Sequence, residues 1–256
     1  MSAVPVLSAL YRYPVKSMRG ESLDASPVGP HGLPYDRTWM VADEGGRFVT
    51  GRTHPELVLV SARPGPAGVT LSAPGRDELF VPNSAFTEAW PTTVWGSEFP
   101  AWRGAAAADA WVSAYLGSRL RFMWIGAATA RRVKTDSDVP LTFADGYPLL
   151  LIGQASLDAL SARLGRPLAM ARFRPNLVVS GADAFAEDGW KRIRIGELEF
   201  EVAKGCSRCI LTTIDPQTGE RSADREPLST LKTYRERDGD VYFGQNLLPR
   251  GVGELR

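Results

Sequence analysis

Short strand-like segments, closely spaced between turn residues, limit this chain to a β-rich fold. Residues 57–82, LVLVSARPGPAGVTLSAPGRDELFVP, contain three apolar segments separated by proline and glycine. Residues 35–52 predict a hairpin, in which 38–41 and 48–50 are the arms and 44–46 form the turn. Many short strands with turn signals this close together are typical of a barrel or a sandwich.

Further strands are predicted in the second half of the chain. Residues 191–205 alternate polar and apolar side chains on both sides of Gly196, which is typical of a second hairpin. Residues 208–220, RCILTTIDPQTGE, predict a strand that ends in a turn at Asp215. Residues 127–149 are polar and irregular, so we expect a loop or a domain junction there.

Only a few short helices are predicted. Residues 105–117 place apolar side chains at helical spacing, with Gly117 just after the last turn. Residues 156–165 predict a second helix capped by Ser156, and 227–239 predict a third. We therefore expect an α+β fold that is predominantly β. The two predicted domains are residues 1–122 and 123–256.

Charge and hydrophobicity exclude two classes of partner. The 30 basic and 29 acidic side chains give a net charge of +1, so the chain has no overall positive field for nucleic acid. No apolar run reaches the roughly 18–20 residues that span a bilayer, and the first residues lack the basic and apolar regions of a secretory signal. Two cysteines do not make a disulfide framework. We expect a cytoplasmic protein without a membrane segment.

The two cysteines of the chain, Cys206 and Cys209, lie three residues apart in KGCSRCILTTIDPQTG. The simplest interpretation is two small buried hydrophobic side chains. A structural zinc needs four ligands, and His31 and His54 lie far upstream and far apart. A redox pair of the thioredoxin kind sits at a helix N-terminus, whereas the residues that follow predict a strand. In a fourth interpretation one thiolate binds the soft metal of a cofactor, and Arg208 favours the thiolate or holds an anion. The residues alone do not rank the fourth interpretation above the first.

At this motif the sequence resembles a known family. CSRCILTTIDPQTGE is similar to the signature of the MOSC domain, which is named for the C-terminus of molybdenum cofactor sulfurase. Six further motifs occur in the order expected for the branch that contains the mitochondrial amidoxime-reducing component: YPVKSMRGESL, GLPYDRTWMVAD, FVTGRTHPELVLV, FADGYPLLLI, RFRPNLVVSG and FAEDGW. The first three belong to the β-barrel domain that precedes MOSC in that branch. The resemblance implies a β-barrel-like MOSC domain after a smaller β-rich N-terminal domain.

The resemblance also implies a pyranopterin molybdenum cofactor, whose metal binds a single protein cysteine beside the dithiolene sulfurs of the pterin. The matching position is Cys209, while Cys206 matches a neighbour that is not a ligand. Asp145 in the FADGYP motif is a catalytic candidate near the metal, either as an acceptor from pterin nitrogens or as a proton relay. The family match assigns Lys16, Ser17, Arg37, Arg174 and Arg208 to the phosphate and pterin side of the cofactor. Asn176 and Ser207 are further candidates for cofactor binding. Arginine, lysine and hydroxyl groups suit the phosphate of such a cofactor.

Several of these residues also have plain structural interpretations. Arg37 follows Asp36, and the two are consistent with a surface ion pair. Lys16 suits a solvated strand end, and Arg174 before a proline suits a turn. Asp145 before a glycine is typical of a turn in which the carboxylate accepts a backbone hydrogen bond. The sequence leaves these alternatives open.

The activity that the resemblance implies is the two-electron reduction of small N-oxygenated molecules such as amidoximes, hydroxylamines and N-oxides. Two cysteines cannot hold a four-thiolate iron–sulfur cluster, and the chain to Arg256 leaves no length for the ferredoxin-like domain of some bacterial relatives. We therefore expect electrons from a separate donor protein: a ferredoxin, a flavoprotein or a cytochrome. The alternative is a non-catalytic protein that carries or delivers sulfur or molybdenum cofactor on Cys209.

Overall fold

The computed structural model describes residues 4–256, and most of its regular structure is β-strand. The strands β1 to β20 are, in chain order, Val6–Arg12, Glu21–Leu23, Ser26–Val28, Trp39–Ala42, Phe48–Val49, Ser61–Gly65, Gly68–Ala73, Arg76–Pro82, Glu88–Val94, Ser97–Arg103, Arg121–Trp124, Arg132–Val133, Asp136–Pro140, Leu149–Gly153, Leu177–Ser180, Arg192–Ile195, Leu198–Ser207, Glu236–Arg237, Asp240–Pro249 and Gly253–Leu255. The helices α1 to α3 are Ala106–Leu116, Gln154–Leu164 and Leu228–Arg235. Short 3₁₀ helices occupy Pro55–Leu59, Asn83–Ala85, Met170–Arg172, Ala186–Gly189 and Ile210–Thr213. The predicted α+β fold, predominantly β with few short helices, is confirmed.

The largest sheet joins the beginning of the chain to its second half. Its strand order is β16-β17-β19-β14-β15-β1-β2, and β18 pairs with β19. β14 and β15 run parallel, and the other neighbouring pairs are antiparallel. β14, with the sequence LLLIG, is buried along its whole length, as expected of a central strand. Because β1 and β2 belong to this sheet, the two halves of the chain interlock, and the domain boundary at residue 122 stays a proposal.

The first half of the chain forms the two other larger sheets. A five-stranded sheet has the order β5-β4-β11-β10-β9, and a three-stranded sheet has the order β6-β7-β8. One buried cluster draws on both sheets and on α1, with Trp39, Val69, Ala108 and Phe122 among its members. The hairpin predicted from residues 35–52 is present as the antiparallel pair β4 and β5.

The helices follow the sequence prediction except at the start of α2 and at the end of α3. The third helix was predicted to continue to residue 239, but it ends at Arg235, and Glu236–Arg237 form β18 instead. Gly117 follows α1 with a φ of +68°, in the left-handed conformation that glycine adopts readily. The residue that precedes α2 is Gly153, three positions before the predicted cap, so the prediction that Ser156 caps the helix is wrong. Ser156 is instead buried inside the first turn. Its hydroxyl donates to the Glu187 carboxylate at 2.9 Å and accepts from the Phe185 N–H at 2.7 Å, so a long-range contact takes the place of a cap.

Two other predictions of local structure are wrong. Residues 127–149 are not all loop, because β12 and β13 pair within them. Asp136 of this hairpin forms an ion pair of 2.7 Å with Arg250, which is distant in sequence. A local sequence pattern does not reveal such a contact. Residues 210–213 form a 3₁₀ helix rather than a strand. The hydroxyls of Thr212 and Thr213 donate to carbonyls three residues back, at 3.0 and 2.7 Å, and these local bonds favour the helical turn.

The helices are short. α1 and α2 have 11 residues each and α3 has 8, against the roughly 20 that a membrane-spanning helix needs. Within residues 4–256 no helix is long and apolar enough to cross a bilayer. The cytoplasmic location stays a prediction.

We expect Ser156→Ala to lower the free energy of unfolding by about 1–3 kcal/mol, because it removes a buried hydroxyl that binds Glu187 and Phe185. Urea denaturation followed by circular dichroism measures the change. Ser118→Ala, at an exposed position after α1, is the matched control and should change the free energy by less than about 0.5 kcal/mol. Equally small changes in both variants would show that the Ser156 contacts contribute little.

Candidate functional site

One open cleft collects every side chain that the sequence predicts for the site. It encloses about 870 Å³ of space that is continuous with solvent. The predicted residues that line it are Lys16, Ser17, Arg37, Asp145, Arg174, Asn176, Ser207, Arg208 and Cys209. They come from the segment after β1, the turn before β4, the turn before β14, the segment before β15 and the end of β17. The fold thus brings separate parts of the chain together at one point.

The cleft is strongly cationic. Its charged lining residues are the cations Lys16, Arg37, Arg52, Arg172, Arg174 and Arg208 and the single carboxylate Asp145. The chain as a whole is nearly neutral, with a net charge of +1. The positive charge is therefore concentrated where the predicted residues meet, and it attracts an anion to the cleft.

The two cysteines occupy different environments. β17 carries Cys206, and Cys209 follows in an extended conformation just before the short helix at 210–213. Cys209 is exposed, whereas Cys206 is half-buried and packs against a hydrophobic cluster that includes Phe173. The Cys206 sulfur also accepts a hydrogen bond from Arg208 Nη1 at 3.0 Å. Both cysteines line the cleft, and Cys209 is the more exposed of the two thiols.

The geometry gives no support to a thioredoxin-type pair or to a metal site made by the protein alone. The helix after Cys209 is a 3₁₀ helix of four residues, which lacks the aligned dipole of a longer α-helix. In the part of the chain that the structure describes, no group of three His, Cys, Asp or Glu side chains could hold a metal ion. A metal bound by Cys209 would therefore take its other ligands from a second molecule, such as a cofactor.

Arg37 is held by a buried carboxylate. Asp36 is 1% exposed and binds Arg37 Nη1 at 2.6 and 2.8 Å. Asn176 joins both, since its Nδ2 donates to Asp36 at 3.1 Å and its Oδ1 accepts from Arg37 at 3.2 Å. The rest of the Asn176 amide binds the Tyr11 carbonyl and the Leu150 N–H. The Arg37 pair is thus buried rather than on the surface, and Asn176 fixes it; contact of Asn176 with a cofactor stays a prediction.

A second guanidinium, that of Arg174, shares the ring of Tyr13 with Arg37. The Cζ atom of each arginine lies 4.3 Å from the ring centroid, a distance at which an aromatic face stabilises a cation. Arg174 Nη1 also donates to the Met18 carbonyl at 2.6 Å. Burial, with repulsion from Arg37, lowers the pKa of Arg174 to about 10, so its charge persists at neutral pH. Burial raises the pKa of Tyr13 to about 12, so its phenol stays neutral.

Three of the predicted residues have unfavourable backbone conformations. Ser17, Arg37 and Arg174 have φ angles of 68°, 47° and 56°, in the left-handed region that residues other than glycine rarely adopt. Each such residue costs on the order of 1–3 kcal/mol, which the surrounding structure must offset. Strain of this kind clusters at binding and active sites, and four of the eight described non-glycine residues with positive φ line the cleft: these three and Trp95.

Lys16 and Asp145 form an ion pair at the cleft. The buried Lys16 ammonium donates to the Phe143 carbonyl at 2.9 Å and to the Asp145 carboxylate, so it is not a solvated strand end. Burial lowers the pKa of Lys16, and Asp145 opposes that shift. Asp145, with a side chain 73% exposed, also accepts from Trp95 Nε1 at 2.7 Å. Desolvation raises the pKa of Asp145, but Lys16, Trp95 and Arg37 together lower the pKa by a larger amount. The pKa of Asp145 therefore lies well below its ordinary value.

Three arginines near the cleft were not among the predicted site residues. Buried Arg131 donates to three carbonyls of the turn before β14, including that of Asp145 at 2.9 Å. Arg172 binds Asp215 at 2.6 Å, and Arg52 lines the cleft. Arg131 lies in a segment without any periodic pattern, so no sequence signal could have found it. Arg172 was detectable only from its position in the RFR motif of the family resemblance.

Several guanidinium nitrogens in the cleft lack a protein partner. Arg172 Nη1, Arg174 Nη2 and Arg208 Nε are buried and make no hydrogen bond to residues 4–256. A buried donor left without an acceptor costs about 1–3 kcal/mol. Phosphate offers several acceptor oxygens and negative charge, and guanidinium groups match its geometry. The donors of the cleft therefore fit the phosphate end of a pterin cofactor, and the Cys209 thiol fits a soft metal.

Comparison with known proteins identifies the family. Residues 4–119 match the MOSC N-terminal beta barrel domain, and residues 138–255 match the MOSC domain. Mitochondrial amidoxime reducing component 2 of Bos taurus is 35% identical over 248 residues, which cover 92% of this chain and 74% of that protein. Mitochondrial amidoxime-reducing component 1 of Homo sapiens is 35% identical over 256 residues, covering 93% of this chain and 74% of that protein. This chain belongs to the family of MOSC-domain proteins with an N-terminal MOSC β-barrel domain that includes the mitochondrial amidoxime-reducing components.

A solved structure was also compared. The crystal structure of the YuaD protein from Bacillus subtilis covers 98% of this chain and 91% of its own, at 10% identity and a TM-score of 0.43.

In cofactor-free protein Cys209 should react with iodoacetamide faster than Cys206, because Cys209 is exposed and Cys206 is half-buried against the hydrophobic cluster that includes Phe173. Timed labelling followed by peptide mass spectrometry gives both rates in one sample. Cys206→Ser is the matched control and should leave the Cys209 rate unchanged. Similar rates at the two thiols, or a faster rate at Cys206, would contradict the difference in accessibility.

At pH 7 we expect Asp145→Asn to lower the free energy of unfolding, because the buried Lys16 ammonium loses its counterion. Folding lowers the pKa of this carboxyl below its ordinary value of 3.8. Its contribution is therefore complete above about pH 4 and is lost as the pH falls from there through the folded-state pKa. Urea denaturation at pH 7 and pH 3 should show the gap to the wild type narrowing at the lower pH. A constant gap would show that the ion pair does not stabilise the fold.

Proposed function

We propose that this protein is a molybdenum-cofactor-dependent reductase of small N-hydroxylated compounds, among them amidoximes, hydroxylamines and N-oxides. The names of its relatives, its MOSC N-terminal beta barrel domain and its MOSC domain support this class. The observation that carries the proposal is the exposed Cys209 thiol in a cleft whose guanidinium groups include buried donors without a protein partner. A ligand for a soft metal and a donor set for phosphate thus lie in one cleft.

In this proposal Cys209 ligates the molybdenum. When bound, the cofactor supplies a metal centre that accepts and returns two electrons. Arg174 and Arg208 bind the phosphate end, since each has a buried nitrogen that needs an acceptor. Arg172, with a similar free nitrogen, extends this donor set. The other cofactor-binding residues that we propose are Lys16, Ser17, Arg37, Asn176 and Ser207.

Asp145 is the proposed catalytic carboxylate. Its lowered pKa keeps it ionised at neutral pH, so it accepts a hydrogen bond from a substrate N–OH group rather than donating a proton. The Lys16 ammonium, bound to the same carboxylate, holds the proton. Arg131 fixes the turn that carries Asp145 through its backbone carbonyls. The pair therefore orients the substrate and keeps a proton beside it.

Reduction also needs a source of electrons. The two cysteines of the chain cannot form a four-thiolate iron–sulfur cluster. We propose that a separate protein, a ferredoxin, a flavoprotein or a cytochrome, delivers the electrons. The cleft opens to solvent, so a donor protein can approach the site.

A carrier of sulfur or of molybdenum cofactor is the second candidate. One observation favours it: the Cys209 thiol is exposed, as transfer to a partner protein requires. In a carrier this thiol would hold a persulfide or a transferable cofactor, and no N-hydroxylated compound would be reduced. Turnover therefore separates the two candidates.

Protein purified from a host that synthesises the cofactor tests the proposal. For the wild type we expect molybdenum and pterin near one per chain, and reduction of benzamidoxime with an artificial electron donor. Cys209→Ser should lose nearly all of this activity, because a hard alkoxide is a poorer ligand for the metal than a thiolate. Cys206→Ser is the matched control and should keep most of it, since its sulfur is half-buried and bound to Arg208.

The outcomes distinguish the candidates. Loading without turnover would favour the cofactor carrier. Absence of both molybdenum and pterin, in a host shown to load a control enzyme, would contradict the reductase and direct the search to a persulfide on Cys209. If Cys206→Ser were the inactive variant, the ligand assignment would be wrong.

The phosphate-binding role is tested by the pterin content of the purified variants. Lys16→Ala and Arg174→Ala should each reduce it several-fold, because each removes a cation from the donor set. Arg119→Ala, at an exposed arginine outside the cleft, is the matched control and should load normally. Normal pterin content in both cleft variants would contradict the phosphate site.

A further inference from the structure

The tip of the β9–β10 hairpin brings a tryptophan to the cleft. Trp95 and Gly96 are the two turn residues, with φ angles of 51° and 73°. Positive φ at both positions suits the twist of a hairpin, but asparagine, aspartate and glycine are the residues that adopt it readily. Tryptophan is a poor choice for the turn alone. Its presence there points to a role for the side chain.

Three contacts fix the indole at the cleft. The Arg52 Cζ atom lies 4.3 Å from the Trp95 ring centroid, and the Phe48 ring lies at 5.3 Å. The indole N–H donates to the Asp145 carboxylate at 2.7 Å. Arg52 is fixed in turn, because its Nε donates to the Thr50 hydroxyl at 3.2 Å. Despite these contacts Trp95 remains 45% exposed, so part of its surface is available to a ligand.

This exposed surface lies beside the chemistry proposed for the cleft. Trp95 lines the same cleft as Cys209 and Asp145. Because Trp95 is hydrogen-bonded to Asp145, a substrate whose N–OH group binds Asp145 places its adjacent substituent near the indole. In an aryl amidoxime a planar aromatic ring is attached directly to the carbon of the reacting group. Planar aromatic groups pack favourably against an indole ring.

We infer that Trp95, backed by Arg52, is the wall of the cleft that selects substrates with an aromatic group next to the N–O function. The inference rests on the proposed function and adds a substrate class to it. Trp95 is a specificity-determining residue in this view, and its hydrogen bond to Asp145 sets the distance between the indole and the reacting group.

Two substrates with the same reacting group test the inference on molybdenum-loaded protein. Benzamidoxime carries a phenyl ring and acetamidoxime a methyl group. Trp95→Ala should raise KM and Kd for benzamidoxime about 3- to 10-fold, the size of one aromatic contact, and leave both nearly unchanged for acetamidoxime. Trp95→Phe keeps a ring but loses the N–H bond to Asp145, so it should retain most of the preference.

Trp102→Ala is the matched control, because Trp102 is an exposed tryptophan of the same hairpin that does not line the cleft. Trp102→Ala should leave KM and Kd unchanged for both substrates. The molybdenum content of each variant is measured in the same samples, so that a loading defect is not mistaken for selectivity. Kd comes from titration calorimetry, which does not depend on turnover.

Equal changes for the two substrates in Trp95→Ala would overturn the inference and show that Trp95 acts only through Asp145. Unchanged benzamidoxime binding, or no preference for benzamidoxime in the wild type, would overturn it as well. A third outcome separates the two proposals: the wild type binds benzamidoxime more tightly than acetamidoxime, Trp95→Ala lacks this preference, and neither compound is reduced. That result would support the role of Trp95 in binding and contradict the proposed reductase activity.

Discussion

The buried Asp36 carboxylate is the group on which the site depends. It accepts hydrogen bonds from the Tyr13 N–H at 2.8 Å, from Arg37 and from Asn176. It thereby joins the end of β1, the turn before β4 and the segment before β15, which are remote in sequence. Removing one partner of a buried ion pair costs several kcal/mol, because the other charge stays in the interior. The large sheet, in which the first strand pairs with strands of the second half, is what makes this junction possible.

The cations around this junction divide into two groups. Arg37 and Lys16 are bound by carboxylates and carbonyls of the protein, so they shape the cleft as well as contributing positive charge to it. Arg172, Arg174 and Arg208 each keep a buried nitrogen without a protein partner, so they are the ones that an anion would satisfy. This division explains how a chain of balanced charge can hold a strongly cationic site. The charge of Arg37 is neutralised by Asp36, and the donors without a protein partner, on Arg172, Arg174 and Arg208, lie at the cleft.

Much of the fold could be predicted from the sequence, because alternation and turn residues act locally. Prediction fails where a contact with a residue distant in sequence determines the local structure. Ser156 stands where a helix cap is expected, but its hydroxyl is buried and donates to Glu187. The site residues came from the family resemblance, since spacing alone treats Cys206 and Cys209 as equals. The two thiols differ in their exposure to solvent, and that difference is known only once the fold is known. Trp95 was missed because its role arises from contacts between separate segments.

Molybdenum X-ray absorption of the loaded protein tests the central claim most directly, because it counts the sulfur atoms bound to the metal. The claim is that the exposed Cys209, and not the half-buried Cys206, is the protein ligand. We predict that Cys209→Ser loses one sulfur neighbour relative to the wild type and that Cys206→Ser loses none. A spectrum unchanged in Cys209→Ser, or changed only in Cys206→Ser, would contradict this assignment.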